Sequence, residues 1–180
     1  MKNSFLLIVF SFFLLFFVSC RRTYNTQSPV DDGAEARRIH NEMMIRAHQE
    51  LVQGESQIIK AFAEVQNWDM KTTESGLWYM IYGNGSGEKA TTGKIATIEY
   101  TLSLIGGDVC YSSDEFGAKS FRIGHGGVEA GLEEGILLLR KGDKARFIMP
   151  PHLAHGIMGD LDCIPIRAII IYEVELIDIR

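Results

Sequence analysis

The sequence predicts an α+β fold: an antiparallel sheet, curled as a half-barrel, wraps a short helix, with a helical extension ahead of it. Three observations carry that expectation. From Leu77 onward, apolar residues recur with a period of two in several short runs separated by turns. Among those runs lies one brief apolar segment with two internal glycines, Glu129 to Leu139, read as a helix. Ahead of Leu77 the spacing is helical instead, with apolar residues every three or four positions between Ala34 and Asn67.

Met1 to Cys20 is a targeting segment and stays outside the fold argument. Lys2 gives it a positive start, and Phe5 to Val18 is an apolar run broken only by Ser11. At ~1.5 Å per residue that run is short for a permanent span of a ~30 Å hydrocarbon core. It ends F-V-S-C, which resembles a bacterial lipoprotein signal, so Cys20 is the expected lipidation site and mature N-terminus. Arg21 to Gly33 is polar and reads as a tether. Asp31 or Asp32 can cap the helix that follows, whose stripe is Ile39, Met43, Ala47 and Leu51, continued by Ile58, Phe62 and Val65. The expected partition is therefore 1–20 signal, 21–33 tether, 34–76 helical extension and 77–180 globular domain.

Within that domain the expected strands are Leu77 to Tyr82, Ile95 to Ile105, Val109 to Tyr111, a short one at Phe121 and Ile123, Lys144 to Met149, and Ala168 to Ile179. Gly83 to Gly87 and Gly106-Gly107-Asp108 are turns. Ile98, Tyr100, Leu102 and Leu104 share one face of the second strand; Ile170, Tyr172, Val174 and Leu176 share one face of the last. Such one-sided alternation marks strands with a single buried face.

Charge and motif content exclude several functions. The formal charge of −5, or −6 once Lys2 leaves with the signal, offers nothing to nucleic acid. Gly87 to Lys94 imitates a phosphate loop but has one residue too many between its glycines, and Ile95 stands where a magnesium-binding hydroxyl is needed. His152 and His155 have only Asp160 and Asp162 near them in sequence, so no metal site is expected. No G-x-S-x-G elbow accompanies the serines, and Glu133-Glu134 reads as the solvated face of the short helix. Cys110 and Cys163 are expected as small buried apolar residues; in an oxidising compartment they can bond if close in space.

The order V-E-A-G-L-E-E-G-I-L-L-L, K-G-D-K-A-R-F, P-P-H-L-A-H-G and I-I-I-Y-E-V-E-L, with I-E-Y-T-L and S-F-R-I-G upstream, closely resembles FK506-binding-protein (FKBP) type peptidyl-prolyl isomerases from about Leu77 to the end. Loop residues H-L-A-H-G and M-G-D are similar to the gliding-motility-associated lipoprotein branch of the Bacteroidota. The resemblance implies the FKBP-like half-barrel and a proline pocket. Tyr100 stands at a pocket tyrosine, Phe121 at a pocket phenylalanine, Val128 at a pocket valine and Leu132 at the pocket floor. Glu129 stands where a backbone N–H holds the substrate carbonyl, Ile164 at a late-loop aliphatic, and Tyr172 at a usual phenylalanine. Cys110 replaces a bulky phenylalanine, Tyr111 an aspartate, and His155 a loop tyrosine that donates to ligand; His155 retains a donor.

The chemistry so implied needs no cofactor and no metal. The barrier to prolyl rotation, ~18–20 kcal/mol, is amide resonance lost on twisting. A twisted amide is less dipolar than a planar one, so a water-poor apolar pocket favours it. The expected protein is a lipid-anchored envelope isomerase facing the periplasm, at the outer membrane in preference to the inner, acting weakly on proline-containing segments of exported proteins. The alternative is a catalytically weak or inactive module of the same fold that serves as chaperone or assembly factor for an envelope or motility machine.

Overall fold

The computed structural model describes residues 32–180; the targeting segment, Cys20 and the tether up to residue 31 lie outside the described residues. The described residues fall into two units that divide between Met44 and Ile45. Of the first unit, the described residues form the opening turns of helix α1 (Asp32–Val65), where Ile39, Met43 and Met44 are exposed.

The second unit carries the rest of α1 and a seven-stranded antiparallel sheet. Its strands are β1 (Lys71–Thr72), β2 (Trp78–Ile81), β3 (Ile95–Leu104), β4 (Val109–Ser112), β5 (Lys119–Arg122), β6 (Lys144–Met149) and β7 (Ile170–Ile179). They run in the order β1-β2-β6-β7-β3-β4, with β5 beside the first half of β3. Long β3 therefore has β7 along one edge and shares the other between β5 and β4. One-turn helix α2 (Ser113–Phe116) follows β4, and a 3₁₀ turn, Pro151–Leu153, follows β6. These two turns and β1 are too short to leave a periodic signal in sequence.

Helix α3 (Ala130–Ile136) lies in the concave face. Leu132 and Ile136 are fully buried there with Phe147, Met149, Ile98, Leu102 and Tyr172. Its glycines make the close approach possible. A Cβ at Gly135 would stand 2.7 Å from the Phe147 ring, and one at Gly131 2.9 Å from Met149 Sδ. Each large apolar side chain so enclosed stabilises the fold by ~1.5–3 kcal/mol. The face of β3 expected to be buried is the face that is buried, as is that of β7.

The stripe expected along α1 is shifted. Ile59 and Ala63 are buried, with Phe62 partly so, whereas Leu51, Ile58 and Val65 are exposed. Within this unit the last turns of α1 cover the convex face of the sheet, where Ile148, Ile169 and Ile171 form a second apolar cluster with Ile59, Phe62, Trp68 and Trp78. Glu55, one turn before Ile59, pairs with Arg167. The buried face is thus Glu55–Ile59–Phe62–Ala63, set by where the isoleucines of β6 and β7 lie. Among the described residues no helix is long and apolar enough to cross a membrane.

Candidate functional site

The pocket is assembled where β3, β5, β7, the start of α3 and the loop after β6 converge. Period-two alternation puts Tyr100 of β3 and Tyr172 of β7 on the concave face, their rings tilted at 45° with centroids 5.8 Å apart. Ser113 fixes the backbone behind Tyr100: it accepts from Tyr100 N–H at 3.1 Å and donates to Tyr100 O at 3.3 Å. A cavity of about 430 Å³ opens in front, lined by Lys119, Gly127, Val128, Glu129, Ala154 and His155. Leu132 is fully buried three residues into the same helix segment, and Ile164 is buried at the end of the loop. Phe121 is buried in the core opposite Ala96.

Glu129 is the centre of the polar chemistry. It is the residue before α3, with φ −59° and ψ 140°, and its side chain is only 9 % exposed. Its Oε1 accepts from the Tyr172 hydroxyl at 3.0 Å and from His155 Nε2 at 3.0 Å. An ionised carboxylate can only accept, so this contact selects the His155 tautomer with its proton on Nε2. The other oxygen, Oε2, is buried with no hydrogen-bond partner. Lys119 Nζ donates to the Tyr172 hydroxyl oxygen at 3.2 Å and lies 4.8 Å from the centre of the Tyr100 ring. The Glu129 backbone N–H has no protein acceptor among the described residues.

Burial holds the Tyr172 phenol well above the usual tyrosine range, reinforced by the negative charge and the hydrogen bond of Glu129. Tyr100 is shifted the same way, by burial first and the Glu129 charge second. Both hydroxyls stay protonated and can donate.

A second set of contacts fixes the loop that closes this side. Cys110 of β4 and Cys163 are joined in a disulfide, Cα atoms 5.5 Å apart. The expectation of two separate small buried residues is thereby corrected. They are 53 residues apart in sequence, so only the return of the loop over β4 brings them together. Beside the bridge, the Tyr111 hydroxyl donates to Asp160 Oδ2, while Asp160 Oδ1 accepts from the N–H of Asp162 at 3.0 Å and of Ile164 at 2.8 Å. The hydrogen bond to Asp160, then burial, pushes Tyr111 up to about 12. For Asp160 burial works upward, but the Tyr111 hydroxyl and the two amides outweigh it and hold the carboxyl below its ordinary value.

The family model of FKBP-type peptidyl-prolyl cis-trans isomerases matches residues 86–177, just over half of the 180-residue chain. The chain belongs to the FKBP-type peptidyl-prolyl cis-trans isomerase family. It is 36% identical over 113 residues to a probable FKBP-type peptidyl-prolyl cis-trans isomerase of Haemophilus influenzae, covering 62% of this chain and 46% of that one. It is 35% identical over 131 residues to FkpA of Buchnera aphidicola subsp. Schizaphis graminum, covering 72% and 50%. The chain thus spans about half the length of the curated relatives it matches. The crystal structure of FkpA from Escherichia coli aligns with a TM-score of 0.62 at 27% identity, over 82% of this chain and 69% of that one. That of AtFKBP13 aligns with a TM-score of 0.59 at 30% identity, over 61% and 98%.

In this FKBP chain Val128, Glu129 and His155 line the cavity, while Tyr100 and Tyr172 lie buried behind it, Tyr172 bonded to Glu129 and Tyr100 under the Lys119 ammonium. Sequence reasoning missed Lys119. It shares a face of β5 with Phe121, two residues on, so the alternation that marked Phe121 also pointed Lys119 toward Tyr100. The Glu129 carboxylate is likewise unmarked in the sequence, because no local pattern fixes where its side chain turns.

Proposed function

We propose that the chain is a peptidyl-prolyl cis-trans isomerase of the cell envelope, acting on proline-containing segments of exported proteins. Residues 77–180 form the isomerase domain, 34–76 a helical extension, and lipid on Cys20 the anchor to the membrane, at the outer membrane facing the periplasm. The observation that carries the activity is the open Glu129 N–H beside a cavity walled by Val128, Ala154 and His155. It offers a fixed donor for the carbonyl before proline, with Val128 and Ala154 as the apolar part of the wall. Donor and desolvation together lower the barrier without acid, base or metal. Tyr100, Phe121, Val128, Leu132, His155, Ile164 and Tyr172 complete the proposed site. The Cys110–Cys163 disulfide supports an oxidising compartment.

Activity is expected to be weak, because charged and polar groups stand where an apolar box would serve a twisted amide best. Those same groups favour a second reading, a binding module for extended segments with little turnover. The test is prolyl isomerisation by the full chain in detergent, on an Ala-X-Pro peptide and on a protein whose refolding is limited by proline. Acceleration of both supports the enzyme. Silence on both, with aggregation of an unfolded client still suppressed, leaves the binding module.

A further inference from the structure

The pocket contains a feature that prolyl isomerisation does not require: a buried carboxylate facing two aromatic rings, with a cation already among them. Tyr100 and Tyr172 form two sides of a small cage, and Glu129 forms a third. The Lys119 ammonium sits 4.8 Å from the Tyr100 centroid and 5.7 Å from that of Tyr172, held by π faces and one phenol oxygen rather than by a carboxylate. Aromatic faces with a nearby carboxylate make a recognition site for organic cations. Glu129 Oε2 is meanwhile buried and has no donor. A carboxylate oxygen in that state is costly, and a guanidinium or ammonium is the group best suited to satisfy it. Glu129 also lines the cavity, its side chain 9 % exposed.

We infer that Glu129 is a specificity-determining residue that makes the pocket select segments with a basic side chain, Lys or Arg, immediately before the proline, and that Lys119 holds the place of that cation when the pocket is empty. The inference rests on the isomerase reading of the site. In that reading the Glu129 N–H takes the carbonyl of the residue before proline, so the side chain of that residue is the one within reach of the Glu129 carboxylate. The entering cation displaces Lys119 from the two rings, and Lys119 is free to swing outward because only its tip is engaged. Arg gains more than Lys, since its planar fork can meet a carboxylate with two parallel bonds and stack on tyrosine. An acidic residue before proline meets Glu129 and is rejected.

The test uses the full chain in detergent and one peptide in four forms, with Arg, Lys, norleucine or Glu before the proline. Both kcat/KM for isomerisation and affinity by fluorescence anisotropy are measured. Wild type should favour Arg over norleucine by about tenfold and disfavour Glu. Glu129→Gln and Glu129→Ile should both bring the Arg and norleucine values to within about twofold, and Lys119→Met should widen the Arg preference. Thermal melting of each variant confirms that it is folded. Turnover that is equal across the four peptides overturns the inference and leaves the isomerase reading intact. Arg-selective binding without turnover overturns the isomerase reading and leaves the selectivity. Failure of every peptide to bind or turn over removes both.

Discussion

The floor of the pocket and its rim are built on different principles. The floor is Leu132 and Ile136 of α3 against Phe147 and Met149 of β6, all fully buried and apolar, with glycines allowing helix and sheet to touch. The rim is Lys119, Glu129 and His155 at the cavity wall, joined by hydrogen bonds among themselves and to the fully buried Tyr172 hydroxyl beneath them. Floor residues are interchangeable in kind, because close packing asks only for volume and hydrophobicity. Rim residues are not, because each bond needs one donor and one acceptor at a set distance. Stability therefore resides mainly below the pocket, and selectivity above it.

The largest effect that would sharpen this division is in the floor. Phe147→Ala should cost ~3–5 kcal/mol in urea denaturation, the loss of a fully buried ring plus the cavity left beneath α3. A cost below about 1 kcal/mol would mean that the helix is not seated on β6 as the glycine contacts imply.

Next is the bridge that ties the loop after β6 to β4. Replacing both Cys110 and Cys163 by Ser should cost ~2–5 kcal/mol, read as a lower Tm that reducing agent does not lower further. The sequence alone suggests Cys110→Phe as the repair of a missing wall. In the structure that change breaks the disulfide, so it should lower stability in place of raising activity.

Within the rim, Tyr172→Phe keeps the ring but removes the hydroxyl that donates to Glu129 and accepts from Lys119. It should cost only ~1–2 kcal/mol in stability while weakening discrimination among residues before proline. A stability loss as large as that of Phe147→Ala would break the contrast between the two regions.

The smallest expected effect is at the Tyr111–Asp160 contact. A tyrosine is ~10 when unfolded, and Tyr111 is pushed up to about 12 in the fold, so its contribution is complete below pH ~10 and disappears as pH rises toward 12. Asp160 has its carboxyl lowered, so its contribution is present above ~3.9 and is lost as pH falls below that. Tyr111→Phe should flatten the alkaline limb of a Tm-against-pH profile and reduce the acid one. Unchanged limbs would show that the contact does not persist in solution.

The same contrast explains what could be read from the sequence. Period-two alternation in β3 and β7 identified Tyr100, Leu102, Tyr172 and Val174 as facing the core, because a strand with one wet face leaves that pattern. Phe121 was found the same way. Lys119 was not, since a charged residue on an inward register looks like an ordinary edge position until Tyr100 is seen under it. Glu129 was placed by its main chain, and nothing local could show its side chain turning inward to Tyr172, 43 residues away. The disulfide likewise depends on a loop returning across 53 residues. In α1 the spacing is helical, yet it points to Ile58 and Val65 where the structure buries Ile59 and Ala63. Both neighbouring registers are apolar there, and the choice between them is made by Ile148 and Ile171 of the sheet.

The most direct test of the pocket itself is the backbone amide of Glu129. In an NMR titration of the ¹⁵N-labelled full chain with an Arg-Pro peptide, this N–H should shift downfield as it gains the peptide carbonyl. Cis and trans proline signals of the peptide should exchange in the presence of substoichiometric protein. A Glu129 amide that does not move while the peptide is bound, or cis–trans exchange no faster than in free peptide, would contradict the account.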